Sequence, residues 1–512
     1  MSHLRNFFAV TAALAVAAVV TSPTIAQDGF LSDVNAAQAG LKVAWSTQVK
    51  ISSKAEIVDW QLVVDENKST TYFVISYGKR KEVISEKDMS PFGVPYGIEL
   101  ARKAAEDRKE IIEYRLANDG KEDVEVVISD YTRPKSTLFA LGASGQVISL
   151  DADTGATRWT QKVGDYRLPS IGLGASKNHV AVCNGSKVYC LEFETGRILW
   201  SGKCKNGIDS SPTCSEDNVY VPLLSGRLQT FPIAKKGVGS FNLVAEGGSR
   251  ARPLTTENHV VWTTERGHMN VAPKNRRTVD FRLKASAPIV SQAAASKNRL
   301  YVGSLDGFVY AVNDITGQID WDVSTGDGIM QSPVPFGDSV YVVSRANKLF
   351  KIDANLGDYA KGWEKPLEGI KTVAGFGETS IYCIDARGRL VGIDRNTRAI
   401  TKSIDRSSID MVMPNGITDR MFFGTRSGFI QCVHEISSLR PRFLESDLAM
   451  AKPKAKMRRK DDSAIGEANP FGDDEPGDGE NPFGDDESNP FGEDSDEDLD
   501  EDDEANPFGG GN

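Results

Sequence analysis

Apolar residues come in short alternating runs along most of this chain, and the runs come in pairs. One pair reads Arg299-Leu-Tyr-Val-Gly-Ser-Leu-Asp-Gly-Phe-Val-Tyr-Ala-Val-Asn313, two β-rich stretches around Asp306-Gly307. Alternation with a period of two predicts half-buried strands, and Asp-Gly supplies the positive φ of a tight hairpin turn. A second turn at Thr316-Gly317 leads into a third strand carrying Trp321. The hairpin glycine, or its stand-in, recurs at Gly145, Gly185, Gly226, Gly267, Gly307, Asn347, Gly388 and Gly428. The intervals are 40, 41, 41, 40, 40, 41 and 40 residues. A period of about 40–45 residues holding four short strands is the signature of a β-propeller.

A large aromatic residue marks the outer strand of most repeats: Trp159, Trp200, Phe241, Phe281, Trp321 and Trp363. Such a side chain suits a wedge between neighbouring blades, where it buries roughly 150–250 Å². The eighth repeat has two strands but no aromatic third one. The matching piece stands at the other end of the chain, as Leu41-Lys-Val-Ala-Trp45-Ser-Thr-Gln-Val49. The expected fold is therefore all-β, an eight-bladed propeller over residues 27–441 closed by an N-terminal strand. Between residues 51 and 137 the periodicity fails. Strands are predicted at 60–65, 71–76 and 121–130, and a helix at 98–116. Leu100, Ala101, Ala104, Ala105, Ile111 and Ile112 supply much of the helix's apolar face. This stretch reads as a small β/α insertion in the first blade.

Leu150-Asp-Ala-Asp-Thr-Gly-Ala-Thr-Arg-Trp159 resembles the repeat of pyrroloquinoline-quinone-type propellers. The resemblance covers about residues 41–441 and weakens in the fourth and seventh repeats. Two kinds of protein share that repeat. Quinoprotein dehydrogenases are enzymes, with a vicinal cysteine pair over the quinone and a bound calcium ion. The BamB-type scaffolds of outer-membrane protein assembly are non-catalytic and eight-bladed. Here no two of Cys183, Cys190, Cys204, Cys214, Cys383 and Cys432 are adjacent, and His3, His179, His259, His268 and His434 show no metal-ligand spacing. The expectation is a protein without a catalytic site, cofactor or metal. A quinone-dependent oxidoreductase is the competing reading. The scaffolds are typically lipoproteins, whereas no cysteine precedes Cys183, so lipid anchoring by that route is not expected.

The ends add a compartment. Residues 1–26 read as a secretory signal, with an apolar run at 7–20 and small residues at Thr24-Ile25-Ala26. Export to a periplasm or cell envelope follows, with no further membrane span. Export also permits disulfides; six cysteines allow 15 connectivities, with Cys204 and Cys214 the nearest plausible pair. The formal charge of −11 is divided. Residues 461–512 hold 21 acidic residues and no Lys or Arg, and the remainder, with 60 basic and 50 acidic residues, carries +10. A basic linker at 442–460 adjoins the acidic tail, which argues against nucleic acid as its partner and leaves room for peripheral membrane association.

The tail repeats Asn-Pro-Phe-Gly at 469–472, 481–484, 489–492 and 506–509. Its composition predicts disorder, with turns presenting Phe471, Phe483, Phe491 and Phe508 as apolar beads. An adaptor acting through these beads is a further reading. On the propeller itself, a binding surface is expected where the loops between blades gather at one rim. Arg167, Asp209, Arg250, Arg252, Asp327 and Asp410 are its candidate residues. Mixed charge there suits protein partners in the envelope, met by a monomeric ring.

Overall fold

All eight hairpin positions have a positive φ, from +57° at Gly185 to +98° at Gly428, and Asn347 takes +58°. Glycine is favoured there because a Cβ collides with the backbone in this region. The computed structural model describes residues 31–444, apart from 52–55, 79, 122, 235–238, 405–408 and 439–440. The signal segment, most of the basic linker and the acidic tail, including Phe471, Phe483, Phe491 and Phe508, lie outside the described residues.

The described residues form eight antiparallel sheets, seven of four strands and one of five. The fifth is representative. Ala294–Ser296, Arg299–Gly303, Phe308–Asn313 and Ile319–Ser324 lie side by side in chain order. Ala311 sits between Tyr301 and Trp321 in register. The middle strands are apolar nearly throughout because a neighbouring sheet covers each face. In the eighth sheet the outer strand comes from the N-terminus. Leu41–Gln48 pairs with Phe429–Glu435, Leu41 opposite Glu435 and Gln48 opposite Phe429.

The core is divided among the junctions between successive sheets. Phe139 and Leu141 of the first meet Val180 and Val182 of the second. Equivalent apolar clusters join each later pair. One more joins the eighth sheet to the first, through Trp45, Phe422, Leu138 and Ala140. The aromatic residues lock these junctions. Nε1 of Trp45, Trp159, Trp321 and Trp363 donates to the carbonyl of Ala152, Phe193, Ala354 and Arg395, at 2.9–3.1 Å. Trp45, Trp159, Phe281 and Trp321 lie so close over Gly155, Gly196, Gly317 and Gly357 that a Cβ there would sit 2.5–2.6 Å from the ring. Phe241 instead meets the Arg277 guanidinium, 4.9 Å from its ring centre. Trp200 stacks on Phe231 with ring centres 5.9 Å apart.

Export-dependent disulfides are not formed: all six cysteines are buried free thiols. Cys183, Cys190, Cys204 and Cys214 share the cluster between the second and third sheets. Burial pushes the Cys190 thiol up to about 12 and that of Cys204 to about 11.

The strands expected at 60–65 and 71–76 are parts of one element. Ile57–Tyr77 is one long strand. Its first part, 57–65, is the inner strand of the first sheet, and its second part extends that sheet past the blade, pairing with Arg80–Ser85 and the start of Val126–Gly142. Gly97–Asn118 is the helix. It packs Ala101, Ala105 and Ile112 on Phe73, Ile75 and Val126. Leu100 and Ile111 point away and are about half exposed. A helix lying on three strands has room for one narrow stripe, so only part of the predicted apolar face is used.

Candidate functional site

The two ends of each sheet differ. At one end the outer strand returns beside its own hairpin: Cys204, Ala285, Thr325 and Ile370 donate their N–H to Ser186, Gly267, Gly307 and Asn347, at 2.7–2.9 Å. The loops between sheets start here and form the rim. The insertion leaves from the opposite end, where Asp65 faces Lys135.

Asp209 stands at the rim between the second and third sheets. Its Oδ2 accepts from Ser249 N at 2.7 Å on the next inter-sheet loop. A Cβ on Gly248 would approach that oxygen to 2.6 Å, so the absence of a side chain lets the carboxylate reach the backbone. Burial raises the Asp209 carboxyl above its ordinary value, although the Ser249 N–H and Arg250 oppose the shift. Arg250 projects beside it, mostly exposed, with Nε 2.6 Å from Glu265 Oε1. Exposed Leu224 adjoins this group, its N–H bonded to Gly207 O. Asp209 and Arg250 are thus brought together.

The other rim candidates have separate partners. Arg167 N donates to Asp165 Oδ1 at 2.9 Å, and its guanidinium lies 5.5 Å from the Tyr166 ring centre. Lys162 approaches the same ring at 5.3 Å. Asp327 accepts from Ala346 N on the next sheet's hairpin. Asp410 accepts from Arg426 N at 3.4 Å.

Arg252 has a different surrounding. Its Nη2 lies 2.6 Å from Asp59 of the first sheet's inner strand, and both side chains are only 15% exposed. Asp59 Oδ2 also accepts from Leu173 N at 2.9 Å and from Ser211 Oγ at 2.8 Å. Two residues on, Gln61 Oε1 accepts from Ala175 N at 2.9 Å. Asp59 therefore ties the first sheet to the second and to the loops that lead into the third and fourth, and the Arg252 charge is committed to that tie. Asp59, Gln61 and Ser211 are not candidates on sequence grounds. Asp59 lies in the stretch that reads as insertion, so nothing marked it as inner-strand.

A second charged group lies where the insertion joins the first and eighth sheets. Lys87 Nζ is 3.0 Å from Asp151 and 2.8 Å from Asp153. Burial works against the ionised Asp153, but Lys87, Arg133 and Arg420 outweigh it and hold the carboxyl below its ordinary range. Arg133 Nη2 donates to Arg442 O at 2.7 Å, which fixes the last described residues beside the insertion.

Sheets of this kind, locked by aromatic residues over tight turns and carrying a mixed-charge rim, define a β-propeller of pyrroloquinoline-quinone-like repeats. The family model described as outer membrane protein assembly factor BamB matches residues 143–403, and the chain belongs to that family. The outer membrane protein assembly factor BamB of Shewanella oneidensis is 22% identical over 246 residues, covering 44% of this chain and 60% of that protein. This chain thus spans less than two thirds of that relative. Among solved structures, BamB from Moraxella catarrhalis has 14% identity and a TM-score of 0.47, with 58% of this chain and 93% of that one covered. The computationally designed Ika8 protein has 17% identity and a TM-score of 0.46, with the same coverages of 58% and 93%.

Proposed function

We propose that the eight sheets close into an eight-bladed ring, and that this ring is an exported, non-enzymatic scaffold for protein partners in the bacterial cell envelope. Its setting is outer-membrane protein assembly. The family match over residues 143–403 carries this reading, since it spans seven of the eight hairpin turns, from Gly145 to Gly388. The rim supports it physically. Arg167, Asp209, Arg250, Asp327 and Asp410 offer charge of both signs on loops held by a rigid scaffold, and Arg252 fixes the wall beneath them. Mixed rim charge sets partner choice and association rate more than affinity. In this reading residues 1–26 are a signal, 442–460 a linker and 461–512 an interaction tail.

The test uses the full-length protein with Arg167→Glu and Arg250→Glu together. Crosslinking and recovery from the envelope are compared with the unsubstituted chain. The double variant should lose its assembly partners at least tenfold at an unchanged melting temperature. Undiminished recovery would remove the rim from the proposal. Dye-linked alcohol oxidation on adding pyrroloquinoline quinone and calcium would replace the scaffold by an oxidoreductase.

A further inference from the structure

The loop 164–169 carries the chain from the first sheet to the second and is bolted to the second sheet's hairpin. Asp165 N donates to Asn184 Oδ1 at 3.0 Å, and Asn184 Nδ2 donates to Leu168 O at 3.0 Å. Gly185 N donates to Pro169 O at 2.9 Å. Asn184 is buried, so the loop is held from beneath. Its middle points outward, with Tyr166 62% exposed and Leu168 46%. The Leu168 side chain leans on Gly185, where a Cβ would sit 2.8 Å from it.

Four cations gather about this loop. Lys162 Nζ and the Arg167 guanidinium lie 5.3 Å and 5.5 Å from the Tyr166 ring centre. Lys187 and Lys203 come from the hairpin end of the second sheet, where they are direct cross-strand partners. Side chains on one face of a strand recur every second residue. Tyr189, two residues from Lys187, packs into the cluster between the first and second sheets. Asn184, opposite Lys187 in register, uses the same face to hold the loop. Lys187 and Lys203 therefore project on the side where the loop lies. All four cations are exposed, and none forms an ion pair with a described acidic side chain. The loop's own carboxylate, Asp165, accepts from Arg167 N at 2.9 Å. This arrangement works against the fold, because like charges directly opposite one another destabilise a sheet. A negative partner would relieve it. The chain's own acidic stretch is poorly placed for that. It begins at Asp461, beyond six basic residues at 452–460. The described chain also ends beside the insertion, through Arg133 to Arg442 O, away from the rim.

We propose that this part of the rim receives an acidic segment of a protein partner, in which Asp and Glu flank an apolar residue. The apolar residue packs on Tyr166 and Leu168, and the flanking carboxylates meet Lys162, Arg167, Lys187 and Lys203. The inference rests on the rim reading above and gives it a partner chemistry. The loop is already held in place, so binding costs little ordering entropy. Exposed charges of this kind set partner choice and association rate, and bound carboxylates offset the repulsion between Lys187 and Lys203.

The test places the photo-crosslinker p-benzoyl-phenylalanine in the full-length protein, as Tyr166→p-benzoyl-phenylalanine, irradiates envelope fractions and sequences the crosslinked peptide. That peptide should belong to another polypeptide and be rich in Asp and Glu around an apolar residue. The crosslink should fall about fivefold when salt is raised from about 0.05 M to about 0.5 M. Lys203→Glu sets an opposite charge across from Lys187, so it should hold or raise the melting temperature while lowering the crosslink about tenfold. A lysine with a purely structural role would not join those two effects. Lys203→Arg should keep the crosslink. Leu168→p-benzoyl-phenylalanine gives a second probe should the position 166 variant melt lower. Labelling of a basic or neutral segment, of lipid or of residues 461–512 of the chain itself overturns the proposal. So does an undiminished crosslink in Lys203→Glu, its loss in Lys203→Arg, or no crosslink from either probe. Partner recovery lost on Arg250→Glu but untouched by Lys203→Glu sinks this inference alone; recovery untouched by both sinks the rim reading with it.

Discussion

At the scale of the residue, glycine is required for different reasons at different turns. Gly155 has a φ of +72°, and a Cβ there would lie 2.5 Å from the Trp45 ring. Gly388 has a φ of +82° but meets nothing within 4 Å. Gly388→Ala should therefore cost only the left-handed backbone, about 1–2 kcal/mol. Gly155→Ala must also displace the wedge, which adds about 1–3 kcal/mol. Urea denaturation of the two variants should show the larger loss at position 155; equal losses would mean that Trp45 is not seated as described. The hairpin glycines are legible in sequence because the left-handed region leaves few choices. Replacements of the second turn's glycine are harder to read. Arg398 adopts a φ of +61° with no sequence signal beyond its position in the turn. Lys402 stands where other repeats place an aromatic residue, and bonds Tyr382 Oη at 2.8 Å while lying 3.3 Å from the Cβ position of Gly40. A lysine stem covers apolar surface as an aromatic ring does, but its composition class hides this.

At the scale of the element, the strand Phe429–Glu435 ends in a buried charged neighbourhood that makes the fold sensitive to acid. Burial and the adjacent Arg420 lower the His434 pKa from its ordinary 6.5 to about 4. Nδ1 lies 2.8 Å from Glu435 O, an acceptor, so the neutral ring carries its proton there. Arg420, Asp419 and Lys42 are the charged groups that face it. The folded pKa lies below the unfolded one, so the unfolded chain binds the extra proton between those values. Stability from this group is complete above about pH 6.5 and falls as pH drops toward 4, by roughly 3 kcal/mol in all. Urea midpoints at pH 7 and pH 4.5 should differ less for His434→Gln than for the unsubstituted protein. An unchanged difference would show that His434 is not held neutral. Elements were unevenly legible for a related reason. The helix Gly97–Asn118 followed from its apolar spacing, whereas the strand expected at 60–65 was assigned to the insertion and is the inner strand of the first sheet. It runs on into the insertion strand across a register shift between Asp65 and Ser69, with no Gly or Pro there to mark where the blade ends.

At the scale of the whole molecule, the ends of the described chain meet in one sheet, and that predicts how the molecule fails. Repetition made the sheets readable, but the ring closure proposed above would rest on a single non-repeating segment. Leu41, Trp45 and Val49 are each at most 8% exposed. Burying the tryptophan contributes about 4–6 kcal/mol at about 25 cal/mol per Å², and the two aliphatic residues about 1.5–3 kcal/mol each. The sum approaches the whole stability of a typical domain, about 5–15 kcal/mol. It also covers the Phe429–Glu435 edge, which would otherwise offer unpaired N–H and C=O groups to another chain. Excising residues 41–50 should therefore lower the melting temperature sharply and cause aggregation, read by calorimetry and light scattering. Excising 461–512 is the matched control and should change neither. The two outcomes separate a ring that depends on its N-terminal strand from eight sheets that stand without it: a melting curve unchanged by loss of 41–50 would leave the closure proposal without its physical basis.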